Sequence, residues 1–161
     1  MRRAMTFLSY VLLGLLFGSA LLHAAEAPPV KPSPTDKCPV CGMFVSQYPD
    51  WVGRIVFKDG SVVFFDGAKD LFKYYFNMQK YDPRRQREDI RAISVTEYYD
   101  MKPLDGLQAF YVIGSDVYGP MGRELIPFTT EAAAREFMRD HKGKTILHFK
   151  DLTPAVIEKL D

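Results

Sequence analysis

The feature that most limits what this chain can fold into is an uncharged and strongly apolar run near its N-terminus, over residues 7–22. Two arginines precede the run, and three alanines follow it within residues 24–27. This order of a cationic start, an apolar stretch and small residues is typical of a secretory signal peptide. We therefore expect residues 1–27 to be a signal peptide, or an uncleaved membrane anchor, and the fold to be built from the rest of the chain.

The residues after this run have the composition of one globular domain that begins with a spacer. Residues 28–37 contain four prolines, which favour an extended chain, so we predict a linker there and a folded domain over residues 38–161. The whole chain is 47% apolar and carries a formal net charge of +1. This composition fits a normal core and excludes a mostly disordered protein. It also lacks the positive charge that broad binding of nucleic acid needs, so we expect no nucleic-acid partner.

The first half of the domain has the pattern of a hairpin, a helix and a third strand. Residues 51–57 and 61–65 are rich in β-branched and aromatic residues and flank Asp59-Gly60, a strong signal for a tight turn. We expect Asp66 to cap the helix that follows, since an apolar stripe begins two residues later. Residues 90–99 have the pattern of a strand.

The second half repeats this order. Residues 108–115 and 123–128 predict two paired strands, a helix is expected to begin at Thr129 or Thr130, and residues 145–149 predict a last strand. Each half therefore has the order β-β-α-β. We predict an α+β fold in which two β-β-α-β units form one compact domain.

The residues that carry chemistry are concentrated in the hexapeptide 38–43, CPVCGM, which contains the two cysteines of the chain. A turn of this spacing can direct the sulfurs of Cys38 and Cys41 to one soft metal ion, and Gly42 relieves the backbone crowding. Met43 adds a thioether. Thiolate and thioether ligands together favour Cu(I), whereas Zn(II) favours thiolate, imidazole and carboxylate. Because the pair begins the domain, we expect it to lie outside the core.

Three other interpretations of this pair compete with copper binding. A redox-active dithiol commonly has this spacing, although it usually follows a strand and opens a helix, and neither pattern is present here. Zinc would need two further ligands, for which His141 and His148 are available. A structural disulfide across so short a loop would stabilise little. The spacing alone leaves all four interpretations open.

A further sulfur atom lies in the segment 118–122, YGPMG. Glycine and proline on both sides of Met121 predict a turn, and turns lie at the surface. A methionine there contributes little to a core, so we take Met121 as a candidate ligand.

The sequence contains the segments DKCPVCGM at 36–43, FFDG at 64–67 and GPMGRELIPF at 119–128. These three segments resemble the NosL family, the copper-binding accessory proteins for maturation of nitrous oxide reductase. The resemblance extends over about residues 38–149. It implies a periplasmic Cu(I) chaperone with an α+β fold of two β-β-α-β units, and no enzymatic activity. It also implies copper ligands at the positions of the family's motifs, which are Cys38, Cys41, Met43 and Met121.

The resemblance also implies partners and a location. Copper would pass to apo nitrous oxide reductase, or to another copper enzyme, through a membrane assembly machinery. Many members of the family are lipoproteins, but no cysteine lies near the end of the apolar run here, so we do not expect a lipid anchor. The alternative from another class is a periplasmic thiol-disulfide oxidoreductase that uses Cys38 and Cys41.

Overall fold

The structure is a computed structural model that describes residues 31–161. The predicted signal peptide and the first part of the predicted linker lie outside the described residues. Within the described part of the chain, no helix has both the length and the hydrophobicity to cross a bilayer.

The first unit is an antiparallel sheet with a helix packed against it. Its strands β1 (Gly53–Phe57) and β2 (Val62–Phe65) form a hairpin, and helix α1 (Ala68–Phe76) follows. After the short helix α2 (Met78–Tyr81), strand β3 (Ile90–Thr96) returns to the other side of β1. A short strand, β4 (Pro103–Asp105), adds to β3, so the order across the sheet is β2-β1-β3-β4.

The hairpin forms where the sequence predicted it, because the turn residues tolerate its geometry. Gly60 has a φ of +86°, a conformation that residues with a side chain rarely adopt. The Asp59 carboxylate accepts hydrogen bonds from the backbone N–H and the hydroxyl of Ser61, at 2.9 and 2.6 Å. In β1 the side chains of Ile55 and Phe57 are fully buried, which shows the alternation of a sheet with one face in the core.

The second unit repeats this arrangement on a smaller scale. Its elements are β5 (Phe110–Ile113), β6 (Tyr118–Gly119), β7 (Gly122–Arg123), β8 (Ile126–Phe128), helix α3 (Glu131–Asp140), β9 (Thr145–His148) and a last helix, α4 (Pro154–Glu158). The order across its sheet is β8-β5-β9, and a separate two-stranded hairpin, β6-β7, stands between β5 and β8 in the sequence.

The predicted α+β fold of two β-β-α-β units is confirmed. In each unit the first strand is central, the second pairs with one of its edges, and the strand after the helix pairs with the other. The elements α2, β4, α4 and the β6-β7 hairpin are additions. Residues 123–128, predicted as one strand, instead divide between β7 and β8, with a break at Glu124 and Leu125.

The two long helices begin in different ways. The Thr130 side chain accepts a hydrogen bond from the Ala133 N–H at 3.2 Å and caps α3. The prediction that this helix begins at Thr129 or Thr130 is confirmed. The predicted cap of α1 is wrong. Gly67, not Asp66, occupies the N-cap position, and glycine has no side chain with which to cap the helix. The carboxylate of Asp66 has a different partner, which is described below.

Candidate metal centre

The hexapeptide folds into a closed loop that brings both cysteines to one side of the first unit. The Cys38 N–H donates to the Met43 carbonyl at 2.9 Å, and the Gly42 N–H donates to the Cys38 carbonyl at 2.8 Å. Lys37 and Phe44 pair as an isolated antiparallel bridge just outside the loop. Gly42 has a φ of +81°, so the expectation that a glycine relieves the crowding at this point is confirmed.

Each thiol of the loop faces a carboxylate from the segment that starts α1. Cys38 Sγ donates to Asp70 Oδ2 at 3.4 Å, and Cys41 Sγ lies 3.3 Å from both carboxylate oxygens of Asp66. Asp66 immediately follows β2, and Asp70 lies in the first turn of α1. The four ligand atoms all lie within 4.8 Å of one another. We call these residues the thiol–carboxyl cluster.

Most of this cluster is removed from water. Cys38, Asp66 and Asp70 are buried, whereas Cys41 is half-buried. The expectation that the cysteine pair lies outside the core is therefore wrong for Cys38, which is 1% exposed and belongs to the main hydrophobic core. Cys41 is the member of the cluster through which a metal ion could enter or leave.

Burial also controls the protonation of the cluster. It raises the pKa of Cys41 to about 12, and it raises the pKa of Cys38 far above the usual thiol range. Burial raises the pKa of Asp70 as well, and the nearby Asp66 carboxylate adds to that rise. Both cysteines are free thiols that stay protonated at neutral pH, so a bound metal has to displace their protons.

The spacing of the cluster suits one metal ion. A metal–thiolate bond of about 2.3 Å places two ligand atoms on opposite sides of an ion roughly 4.6 Å apart, and the four atoms of the cluster span no more than 4.8 Å. Two thiolates give the site its preference for a soft ion, and the two carboxylates add hard ligands. The four residues can therefore hold a metal ion.

The two methionines of the predicted ligand set lie on different elements. Met43 is half-buried at the end of the cysteine loop, where its carbonyl closes the loop. Met121 is 42% exposed in the turn between β6 and β7, which confirms that it is a surface residue. Its carbonyl accepts a hydrogen bond from Lys69 Nζ at 2.7 Å, so this turn lies beside the start of α1. The ligand roles of Cys38, Cys41, Met43 and Met121 stay predictions.

The two histidines considered for zinc belong to other parts of the molecule. The His141 ring stacks on Phe137 with ring centres 4.4 Å apart, and the His148 ring lies 4.3 Å from the ring of Phe110. Neither is a member of the thiol–carboxyl cluster.

Asp66 and Asp70 are not among the ligands that the sequence predicted. The expected role of Asp66 was a local one at the helix start, and no role was expected for Asp70. One signal was present, since Asp66 lies in the FFDG segment at 64–67 that carries part of the family resemblance. The second signal was the charge of Asp70. This residue directly precedes the apolar positions of α1 that fill the core, and a buried carboxylate needs a partner.

Comparisons with known proteins agree with this fold. The NosL family profile matches residues 29–157 of the chain. The copper-binding lipoprotein NosL of Stutzerimonas stutzeri is 26% identical over 133 residues, which cover 81% of this chain and 69% of the relative. The crystal structure of the copper chaperone NosL from Shewanella denitrificans matches with a TM-score of 0.65 and 24% identity, over 79% of this chain and 96% of that one. This last match shows that the two chains share a fold.

Proposed function

This chain belongs to the NosL family, and we propose that it is a periplasmic metallochaperone that binds one Cu(I) ion through Cys38 and Cys41. Copper is the cargo of such a protein, and no reaction is catalysed. The observation that carries the proposal is the presence of both thiols in one cluster whose ligand atoms lie within 4.8 Å of one another. Thiolate sulfur is the ligand that Cu(I) prefers, and the thioethers of Met43 and Met121 would extend the same soft set.

The exposure of the cluster supports delivery of the metal. Cys38 is 1% exposed and holds one side of the site within the core, whereas Cys41 is half-buried at the surface of the loop. A ligand of an acceptor protein can approach the ion from the Cys41 side and replace one bond at a time. A site that was buried on all sides would have to open the fold to release its ion.

The proposed acceptor is apo nitrous oxide reductase, or another copper enzyme of the same compartment, reached through a membrane assembly machinery. Membership of the NosL family supports this proposal. Cells that lack the protein should make a reductase deficient in copper, with partial rescue by added copper. A fully metallated reductase in such cells would point to another acceptor.

The competing proposal, a thiol-disulfide oxidoreductase, has less support from the structure. Redox-active cysteines need a lowered pKa, which a helix N-terminus or a nearby cation provides. Here burial raises the pKa of Cys41 to about 12, and the neighbouring groups are carboxylates. Residues 45–47 and 49–51, after the pair, form 3-10 turns instead of an α-helix.

The direct test is an anaerobic titration of the reduced protein with Cu(I) against a competing chelator. We expect one tightly bound ion per protein. Cys41→Ser should abolish tight binding with little loss of stability, because this side chain is half-buried. The double variant Cys38→Ser/Cys41→Ser should also lose binding, and it should be less stable because Cys38 lies in the core. Unchanged affinity in a folded Cys41→Ser protein would contradict the assignment, and tighter binding of Zn(II) than of Cu(I) would contradict the choice of metal.

A further inference from the structure

Lys69 is an unusual residue because its charged side chain is buried beside the candidate metal centre. It is 1% exposed, and lysine is almost never fully buried without partners. Its ammonium donates to the Met121 carbonyl at 2.7 Å and to the Leu160 carbonyl at 3.3 Å, and it lies 3.5 Å from Asp161 Oδ1. The side chain thus connects the first turn of α1 with the turn that carries Met121.

Glu124, which directly follows the β6-β7 hairpin in the chain, makes a second connection between this region and α1. Here the side chain belongs to the hairpin side and its partner is the backbone of the helix. The Glu124 carboxyl Oε1 accepts hydrogen bonds from the Lys69 N–H at 2.5 Å and from the Leu125 N–H at 2.9 Å. The other oxygen, Oε2, occupies the space beside Gly67, where a Cβ atom would lie only 2.3 Å away from it. A Cβ atom at Gly119 would also approach the Glu124 side chain, to 3.1 Å. The carboxyl group is therefore enclosed between α1 and the β6-β7 hairpin.

The β6-β7 hairpin depends on these two connections for its position. It has two residue pairs, Tyr118 with Arg123 and Gly119 with Gly122, and its strands join neither of the two larger sheets. A hairpin of this size is marginally stable by itself in water. Contacts with the rest of the molecule must hold it in place, and Lys69 bonds directly to the carbonyl of Met121 at its tip.

We propose that Lys69 and Glu124 are positioning residues that fix the Met121 turn against the start of α1, so that the Met121 thioether is presented to the metal at the thiol–carboxyl cluster. The proposal rests on the proposed function, because it takes Met121 as a copper ligand. Replacement of buried charged groups by apolar side chains of similar volume is often neutral or stabilising, so we attribute the presence of Lys69 at this point to the arrangement that it specifies. Lys69 and Asp70 are adjacent in the chain, which places the anchor of the turn next to the cluster.

The test compares Lys69→Met with Lys73→Met in the metal-free protein. Lys73 lies on the same helix and also pairs with Asp161, but none of its hydrogen bonds reaches the Met121 turn. Both substitutions therefore remove one positive charge from α1. We expect the backbone amides of residues 118–123, apart from Pro120, which has no N–H, to exchange with solvent about tenfold faster in Lys69→Met than in Lys73→Met. Exchange in β1 should stay the same in both. If Lys69→Met does not fold, Lys69→Gln, which keeps a shorter polar side chain, takes its place.

The second measurement is Cu(I) affinity in a double-mutant cycle. We expect Lys69→Met and Met121→Ala each to weaken Cu(I) binding about tenfold, which corresponds to about 1.4 kcal/mol. The protein with both substitutions should bind as tightly as Met121→Ala alone, because Lys69 acts through Met121. Lys73→Met should bind as tightly as the unsubstituted protein.

Several results would overturn the inference. Unchanged exchange at residues 118–123 in Lys69→Met would show that this lysine does not hold the hairpin. Faster exchange with unchanged Cu(I) affinity would show that the position of the hairpin does not matter to the metal. Additive losses in the double variant would assign Lys69 a general structural role. If the unsubstituted protein itself failed to bind Cu(I) tightly, the proposed function would fail first, and the positioning of a ligand would fail with it.

Discussion

At the scale of single residues, Gly42 determines the path of the cysteine loop. Its φ of +81° is open to glycine at no cost, and a Cβ atom there would have no atom of the described residues within 4 Å. Substitution to alanine therefore adds backbone strain without a steric clash, at about 1 kcal/mol. We expect Gly42→Ala to lower the free energy of unfolding by that amount and to weaken Cu(I) binding, since relief of the strain moves Cys41 relative to Cys38. Denaturant titration and Cu(I) competition measure the two effects.

Gly60 provides a matched control for this prediction. It has a φ of +86° and equally open surroundings, but it lies in the β1-β2 turn at the opposite end of β2 from Asp66. Gly60→Ala should lose a similar amount of stability and keep full Cu(I) affinity. Equal loss of Cu(I) affinity in both variants would mean that stability, and not the geometry of the loop, controls binding.

At the scale of elements, helix α1 depends on a residue from the other half of the molecule for its first turn. Glu124 accepts the Lys69 N–H, as a cap would, although it lies 55 residues away in the sequence. Burial raises the pKa of Glu124 to about 8, so the uncharged form predominates at pH 7. A glutamine, which keeps the accepting oxygen without the charge, should therefore replace it well.

We expect Glu124→Gln to stay within about 1 kcal/mol of the unsubstituted protein at pH 7. Glu124→Ala should lose about 2–4 kcal/mol, because it removes two hydrogen bonds and leaves buried N–H groups without partners. Thr130→Ala, which removes the local cap of α3, should cost about 1 kcal/mol. Denaturant-induced unfolding at pH 7 compares the three. A Glu124→Ala cost no larger than that of Thr130→Ala would contradict the role of Glu124 at the start of α1.

The raised pKa of Glu124 also predicts how stability depends on pH. The folded protein keeps the proton up to about pH 8, whereas the unfolded chain releases it near pH 4.3. The stability that depends on this protonated carboxyl group is therefore fully present below about pH 4.3, and it is lost progressively as the pH rises towards 8. The free energy of unfolding, measured between pH 5 and 8.5, should fall less steeply in Glu124→Gln than in the unsubstituted protein. Parallel curves would mean that Glu124 has its ordinary pKa in the folded state.

At the scale of the whole molecule, the two units share one core and should unfold together. The Phe72 ring on α1 lies edge-on against Tyr111 of β5, with ring centres 5.5 Å apart. Residues of both units belong to the main cluster of buried side chains. A smaller cluster, around Phe128 and Phe137, packs α3 on the second sheet. Since neither unit buries its apolar surface alone, we expect a single cooperative transition.

Copper should stabilise this whole domain, because the cluster is assembled from segments far apart in the sequence and its full ligand set exists only in the folded protein. At a free Cu(I) concentration about 100 times the Kd, the free energy of unfolding should rise by about 2.7 kcal/mol. Anaerobic thermal unfolding with and without Cu(I) measures the rise as an increase in Tm. Cys41→Ser should lose most of it. An equal rise in that variant would place the stabilising copper elsewhere.

The features that could be predicted from the sequence depend on neighbouring residues. The Asp59-Gly60 turn, the conformation of Gly42, the start of α3 at Thr130 and the surface position of Met121 follow from local preferences. The order of the two β-β-α-β units follows from hydrophobic periodicity, which reports the face that each element buries. Membership of the NosL family was also visible, since the cysteine loop and the Met121 turn carry its motifs.

Only the tertiary structure decided which groups meet at the candidate site. Asp66 has the local chemistry of a helix cap, yet its carboxylate faces Cys41, 25 residues away, and Glu124 takes over the helix start from 55 residues away. Local patterns describe what a side chain can do near its own backbone. Which of its possible partners it takes depends on how the sheets and helices pack, because a buried polar group must be satisfied by whatever the packing places beside it.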